Sequence, residues 1–112
     1  LHKMIMAHRG GSWEQPENTL QAFKYALKNG AQFLETDVCM TKDGVIAVCH
    51  DQSLSRLCGV ESFVKETNFA NLPKFKREMP MHFSKLNKDC EFLNYKRTDD
   101  DQDGFSTLEE VF

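Results

Sequence analysis

Met4-Ile5-Met6-Ala7-His8-Arg9-Gly10-Gly11 is the stretch that decides the fold. A short apolar run stopping at a histidine, an arginine and two glycines reads as a buried strand followed by a loop. Working outward, Asn18 is placed to cap a helix, with Gln21 three residues on as a weak capping box. Leu20, Phe23 and Leu27 recur at helical spacing, and Asn29-Gly30 is the stop signal. Ala31 to Met40 holds a second strand, and Asp43-Gly44 turns the chain into a third at Val45 to Cys49. Strand, helix, strand opens a parallel α/β fold.

The 112 residues suit one small domain with one modest core. A composition 40% hydrophobic and 28% charged is that of an ordinary globular protein. The net charge of −3 argues against a nucleic-acid partner, since phosphate-backbone binding favours a basic surface. No apolar run approaches the ~20 residues of a membrane span, and no signal peptide is recognised. The chain opens on Leu1 rather than Met, which leaves an upstream segment, including a membrane anchor, open. A cytoplasmic or membrane-associated location is favoured.

Cys39, Cys49, Cys58 and Cys90 have no C-x-x-C spacing, so a zinc or redox motif is not expected. Cys39 and Cys49 sit in apolar runs and read as small buried hydrophobes, free thiols in a reducing compartment. From residue 60 to 104 the pattern weakens into scattered aromatics, prolines and charges, which reads as a loop or insertion. Thr107-Leu108-Glu109-Glu110 then begins a helix with Ser106 or Thr107 as its cap.

Glu35 and Asp37 are two apart on the second strand, so their side chains share a face, flanked by Phe33 and Cys39. Two carboxylates on a buried face repel each other unless a cation sits between them. Oxygen ligands suit Mg²⁺ or Ca²⁺. The alternative is an edge strand with two solvated acids. His8 and His50 each follow a strand, where α/β folds place ligands, and suit general acid and base work in hydrolysis. Arg9 suits a bidentate contact to phosphate, or else a salt bridge to a neighbouring acid. Gly10 and Gly11 either let a substrate approach the backbone or form a plain turn. Glu17 is read as supporting the helix start through its dipole. Trp13 either lines the loop near the site or covers the core, and His2 and His82 read as surface residues.

A rival reading lies near the end of the chain. Asp99-x-Asp101-x-Asp103-Gly104, with Glu110 at the last position, fits the calcium-loop pattern. Its context is poor, because a calcium-binding helix pair needs a helix on each side and only Val111 and Phe112 follow Glu110. The bland reading is an acidic loop leading into a helix.

His8-Arg9-Gly10, Pro16-Glu17-Asn18-Thr19, Glu35-x-Asp37, Thr41-Lys42-Asp43-Gly44, His50-Asp51 and Leu54-x-Arg56 together resemble the glycerophosphodiester phosphodiesterase family. The resemblance covers the first half of the chain and recurs at Thr107-Leu108-Glu109-Glu110. It implies the N-terminal portion of a (β/α)₈ barrel, incomplete here because a whole barrel takes ~250 residues. It implies metal-dependent cleavage of a glycerophosphodiester or lysophospholipid, a small-molecule or lipid substrate, to an alcohol and a phosphomonoester. It assigns His8 and His50 as the acid–base pair, Arg9 to the phosphate, and Glu35 and Asp37 to a divalent metal, Mg²⁺ or Ca²⁺. It also makes the stretch between His50 and Thr107 an insertion, and puts a third metal carboxylate on a later strand. Membrane contact would come from segments outside this sequence. The contrasting expectation is a non-catalytic truncated remnant, or a calcium-binding module using residues 99–110.

Overall fold

The computed structural model describes residues 3–12, 14–80 and 94–112. The expectations for His2, Trp13, His82 and Cys90 lie outside them. Strand β1 (Met6–His8) pairs in parallel with β2 (Phe33–Glu35), setting Met6 against Phe33, Ala7 against Leu34 and His8 against Glu35. Helix α1 (Leu20–Lys28) connects them, as the strand–helix–strand pattern requires. Strand β3 (Val38–Met40) then forms an antiparallel hairpin with β4 (Ile46–Val48) around Asp43-Gly44, where Gly44 has φ +80°. Helix α2 (Ser55–Cys58) and two 3-10 turns (Val64–Glu66 and Phe69–Asn71) follow. Strands β5 (Glu78–Pro80) and β6 (Asn94–Lys96) pair antiparallel, and helix α3 (Leu108–Val111) comes last.

Several expectations change at the level of single residues. Thr19, not Asn18, caps α1: its side chain accepts the Ala22 N–H, while Asn18 sits at φ +54° and points elsewhere. Gln21 forms no capping box and instead bonds Gln15 and Asp101. The buried face of α1 is Ala22, Phe23 and Ala26, and Leu27 is exposed. The cause is the turn after β1, which lies directly on the helix. The Gly11 N–H donates to the Ala22 carbonyl at 3.0 Å, and a Cβ on Gly10 would stand 2.8 Å from Ala22 backbone. The glycines therefore allow this turn to pack closely on α1.

The second strand is also not continuous. Pairing with β1 ends at Glu35, and from Val38 the chain pairs with β4. Phe33, in β2, is exposed and Cys39, in β3, is buried.

The region from 60 to 104 holds ordered structure among its described residues. Cys39, Ala47, Cys49, Leu54 and Val64 form one apolar cluster, and Leu57, Phe75 and Met79 form a second. Cys58 and Phe105 pack against both, with Phe105 edge-on to Phe75 at 4.8 Å. The chain returns to β4 where the Val48 N–H donates to the Ser106 carbonyl at 2.9 Å and Thr107 bridges Ala47. Thr107 caps α3 in a full capping box with Glu110.

Cys39, Cys49 and Cys58 are free thiols. Burial, then the neighbouring Cys39, pushes the Cys49 thiol well up, and burial takes Cys58 to about 11. Both stay protonated and behave as small hydrophobes.

Among the described residues the strands form three separate two-stranded sheets and no closed barrel. Met6, Phe33, Val38 and Met40 are exposed on strand faces that a closed barrel would cover. No described helix is long and apolar enough to cross a membrane.

Candidate active site

The carboxyl ends of β1, β2 and β4 carry the candidate residues. His8 ends β1 opposite Glu35, the last residue of β2, and its Nε2 lies 3.8 Å from Glu35 Oε2. Arg9 follows at φ +55°, a conformation costly for a residue with a long side chain. This twist aims its backbone N–H at Glu35 Oε2, 2.9 Å away, while its carbonyl accepts the Asn18 N–H at 2.9 Å. Asn18, in the same left-handed region, donates from Nδ2 to Asp37 Oδ2 at 3.2 Å and accepts from the Thr36 hydroxyl at 2.9 Å. The Asp37 carbonyl takes the Cys49 N–H at 2.9 Å, which brings the end of β4, and so His50, beside it.

Beneath this surface lies a buried charge network. Glu17 accepts from Arg9 Nη1 at 3.3 Å and from Arg56 Nη2 and Nη1 at 2.6 and 2.9 Å. All three side chains are at most 5% exposed. Glu17 thus holds two arginines together rather than serving the helix dipole. Arg56 also donates from Nε to Asp51 Oδ2 at 2.9 Å and from Nη1 to the Pro80 carbonyl at 2.9 Å. Asp51 Oδ1 lies 2.7 Å from His50 Nδ1. Burial alone would raise the Asp51 carboxyl, but the hydrogen bonds from Arg56 and His50 outweigh it and hold it at about 2. Burial would likewise lower the Arg56 guanidinium, and its bonds to Glu17 and Asp51 reverse that and hold it up.

Arg9 Nε lies 3.5 Å from Asp37 Oδ2, near enough for attraction, yet this buried N–H makes no hydrogen bond. A pocket of about 220 Å³ opens beside these groups, lined by His8, Gly10, Gly11, Ser12 and Glu14. A cavity of about 420 Å³ between the β3–β4 hairpin and α3 lies elsewhere, lined by residues such as Ile46, Leu108 and Phe112.

The structure therefore brings His8, Arg9, Glu35 and Asp37 together and ties the segment that carries His50 to them through the Cys49–Asp37 bond. It does not gather the acidic loop. Asp99 pairs with Arg77, Asp103 with Lys74 at 3.3 Å, and Glu110 serves the Thr107 capping box. Asp101 accepts from Gln21 Nε2, the Tyr95 hydroxyl and the Thr98 N–H at 2.8 to 2.9 Å. Among the described residues, no three His, Cys, Asp or Glu side chains converge as a metal site. The supporting roles of Glu17, Asn18, Asp51 and Arg56 were not assigned from the sequence. Their only signal was their place inside the motifs that carry the family resemblance.

Comparison with known proteins places the whole chain. The sequence profile of the glycerophosphoryl diester phosphodiesterase family matches residues 8–112. The chain belongs to that family. It is 42% identical over 80 residues to mouse lysophospholipase D GDPD3, covering 71% of this chain and 24% of that protein. It is 44% identical over 74 residues to a glycerophosphodiester phosphodiesterase of Caldanaerobacter subterraneus, covering 66% and 30%. A solved glycerophosphodiester phosphodiesterase from Thermotoga maritima superposes with a TM-score of 0.68 at 31% identity, over 100% of this chain and 39% of that one. An Oleispira antarctica phosphodiesterase, solved with the product sn-glycerol-3-phosphate, gives 0.67 at 28% identity, over 97% and 38%. The chain thus spans between 24% and 30% of the curated relatives it matches, and its fold is an incomplete barrel.

Proposed function

We propose that these residues form part of the active site of a metal-dependent phosphodiesterase that cleaves a glycerophosphodiester or lysophospholipid to an alcohol and a phosphomonoester. The observation that carries the reading is the cluster itself. His8, Arg9, Glu35 and Asp37 meet at the ends of two adjacent parallel strands, with His50 tied in through the Cys49–Asp37 bond. The names of the relatives point to the same substrate class.

Glu35 and Asp37 offer oxygen donors of the kind Mg²⁺ or Ca²⁺ takes, and the contacts described use only Oε2 of one and Oδ2 of the other. Two carboxylates are fewer ligands than such a cation needs, so the set fits as one part of a larger shell. Bound there, the cation supplies Lewis acidity and offsets phosphate charge.

The rest of the chemistry falls to this chain's own groups. One of His8 and His50 takes the proton of the attacking oxygen, and the other gives a proton to the departing alcohol oxygen. Arg9 steers Glu35 with its backbone N–H, and its unsatisfied Nε is a donor that a phosphate oxygen would satisfy. The same reading makes the stretch between His50 and Thr107 an insertion between the second barrel strand and its helix, with its ends joined where the Val48 N–H meets the Ser106 carbonyl.

The test is hydrolysis of glycerophosphocholine and lysophosphatidylcholine by the full-length protein with Mg²⁺ or Ca²⁺. Glu35→Ala or Asp37→Ala is expected to abolish turnover, and His8→Ala or His50→Ala to lower kcat by ~10²-fold or more. Wild-type rates in either carboxylate variant would overturn the metal assignment.

A further inference from the structure

We infer that Arg56 is a positioning residue: acting through Asp51, it fixes His50 with the ring proton on Nδ1, so that Nε2 is the nitrogen presented for proton transfer. The catalytic half of this statement rests on the function proposed above. The positioning half rests on geometry alone.

Asp51 and His50 are neighbours in the chain, and their 2.7 Å contact admits two arrangements. Either a protonated carboxyl donates to a bare Nδ1, or Nδ1–H donates to a carboxylate. Arg56 decides between them. Its Nε donates to Asp51 Oδ2 at 2.9 Å and its Nη2 to Oδ1 at 3.3 Å, so both carboxylate oxygens face a permanent cation. A carboxylate held ionised in this way has no proton to give. The donor in the His50 contact is therefore Nδ1–H, which in the neutral ring leaves the lone pair on Nε2.

The arginine is itself held from three directions. Glu17 takes two of its donors, the Pro80 carbonyl takes another, and the side chain is only 5% exposed. Such a fork of donors in fixed directions is what a guanidinium provides and an ammonium does not. An arginine 39 residues from Glu17 in sequence is thus locked to the segment that starts α1, and reaches from there to the acid beside His50. Its role is one the proposed reaction does not otherwise assign, because Arg56 touches neither the carboxylate pair nor a histidine in the contacts described.

The test uses full-length protein labelled with ¹⁵N in its histidine rings. In its neutral form the wild-type His50 should carry its ring proton on Nδ1 and none on Nε2. Arg56→Lys keeps a charge near Glu17 but loses the fork. Asp51→Asn keeps the Arg56–Glu17 bonds and so preserves the anchor if the lysine variant fails to fold. Asp51→Asn should move His50 toward the Nε2–H form, and Arg56→Lys, which leaves Asp51 ionised but without its two-point clasp, should weaken the preference for Nδ1–H. Both should also lower kcat by ~10-fold or more while KM changes far less, as expected for a misplaced acid–base group. Circular dichroism identifies which variants are folded. A folded Asp51→Asn protein whose His50 keeps Nδ1–H would overturn the inference, as would a wild-type ring protonated on Nε2. If the tautomer shifts as expected but the wild-type protein hydrolyses no phosphodiester, the positioning role stands and the proposed function falls.

Discussion

Glu17, the Glu35–Asp37 pair and Asp51 come from three separate segments and meet around two buried arginines, whereas Asp99, Asp101, Asp103 and Glu110 share one short stretch and go to separate partners. The second set has the regular spacing of a calcium loop. Beyond the Glu35-x-Asp37 pair the first has no regular spacing, and it is assembled by strand pairing and long-range hydrogen bonds. Regular spacing along a chain creates a site only when the backbone curls to point the side chains inward. Here the loop instead uses its acids to pin itself to α1, to β6 and to Lys74 and Arg77 ahead of β5, and to cap α3. Convergence of residues far apart in sequence at the ends of adjacent strands is the stronger sign of chemistry.

This contrast makes the two regions unequal in energy. The largest effect is expected at Glu17. Glu17→Gln would leave the buried Arg9 and Arg56 without their shared counter-charge, at a cost of ~3–5 kcal/mol measured by denaturant unfolding of the full-length protein. A loss below ~1 kcal/mol would show that water reaches the network and that it is no core element.

A smaller, pH-dependent effect is expected at Asp51. Its carboxyl is held at about 2, below its ordinary value, so its contribution to stability is fully present above the ordinary carboxylate range. That contribution is lost as pH falls through about 2. Asp51→Asn should therefore lower stability at neutral pH and flatten the acid limb of the unfolding curve. An unchanged acid limb would mean that Arg56 does not hold the carboxylate as described.

The smallest effect belongs to the acidic loop. Asp103 pairs with Lys74 across solvent, with both side chains more than half exposed. Asp103→Ala should cost less than ~1 kcal/mol by the same denaturant measurement. A cost comparable to that of Glu17 would break the contrast between the regions.

The sequence made β1, α1 and the β3–β4 turn legible because each carries a local signal, an apolar run, a helical stripe or an Asp-Gly pair, and it marked the candidate histidines by their places at strand ends. What it hid was long-range. Asn18 looks like a cap by type, yet it answers to Asp37 and Thr36, about a strand and a helix away, and leaves capping to Thr19. Leu27 fits the helical stripe, but the face that packs is chosen by the approach of Gly10 and Gly11 to Ala22, which hydrophobicity does not register. Glu17 sits just before a helix, so its local reading is electrostatic support for that helix. Its actual partner Arg56 lies 39 residues on, beyond any periodicity argument. The break between β2 and β3 is invisible for the same reason, since a change of pairing partner leaves no mark in composition.

The most direct test of the central claim is calorimetric titration of the full-length protein with Mg²⁺ and with Ca²⁺, comparing Glu35→Ala with Glu110→Gln. If the strand-end carboxylates hold the metal, Glu35→Ala loses binding and Glu110→Gln binds as the wild type does. Binding that survives Glu35→Ala and disappears in Glu110→Gln would contradict the account and return the metal to the acidic loop.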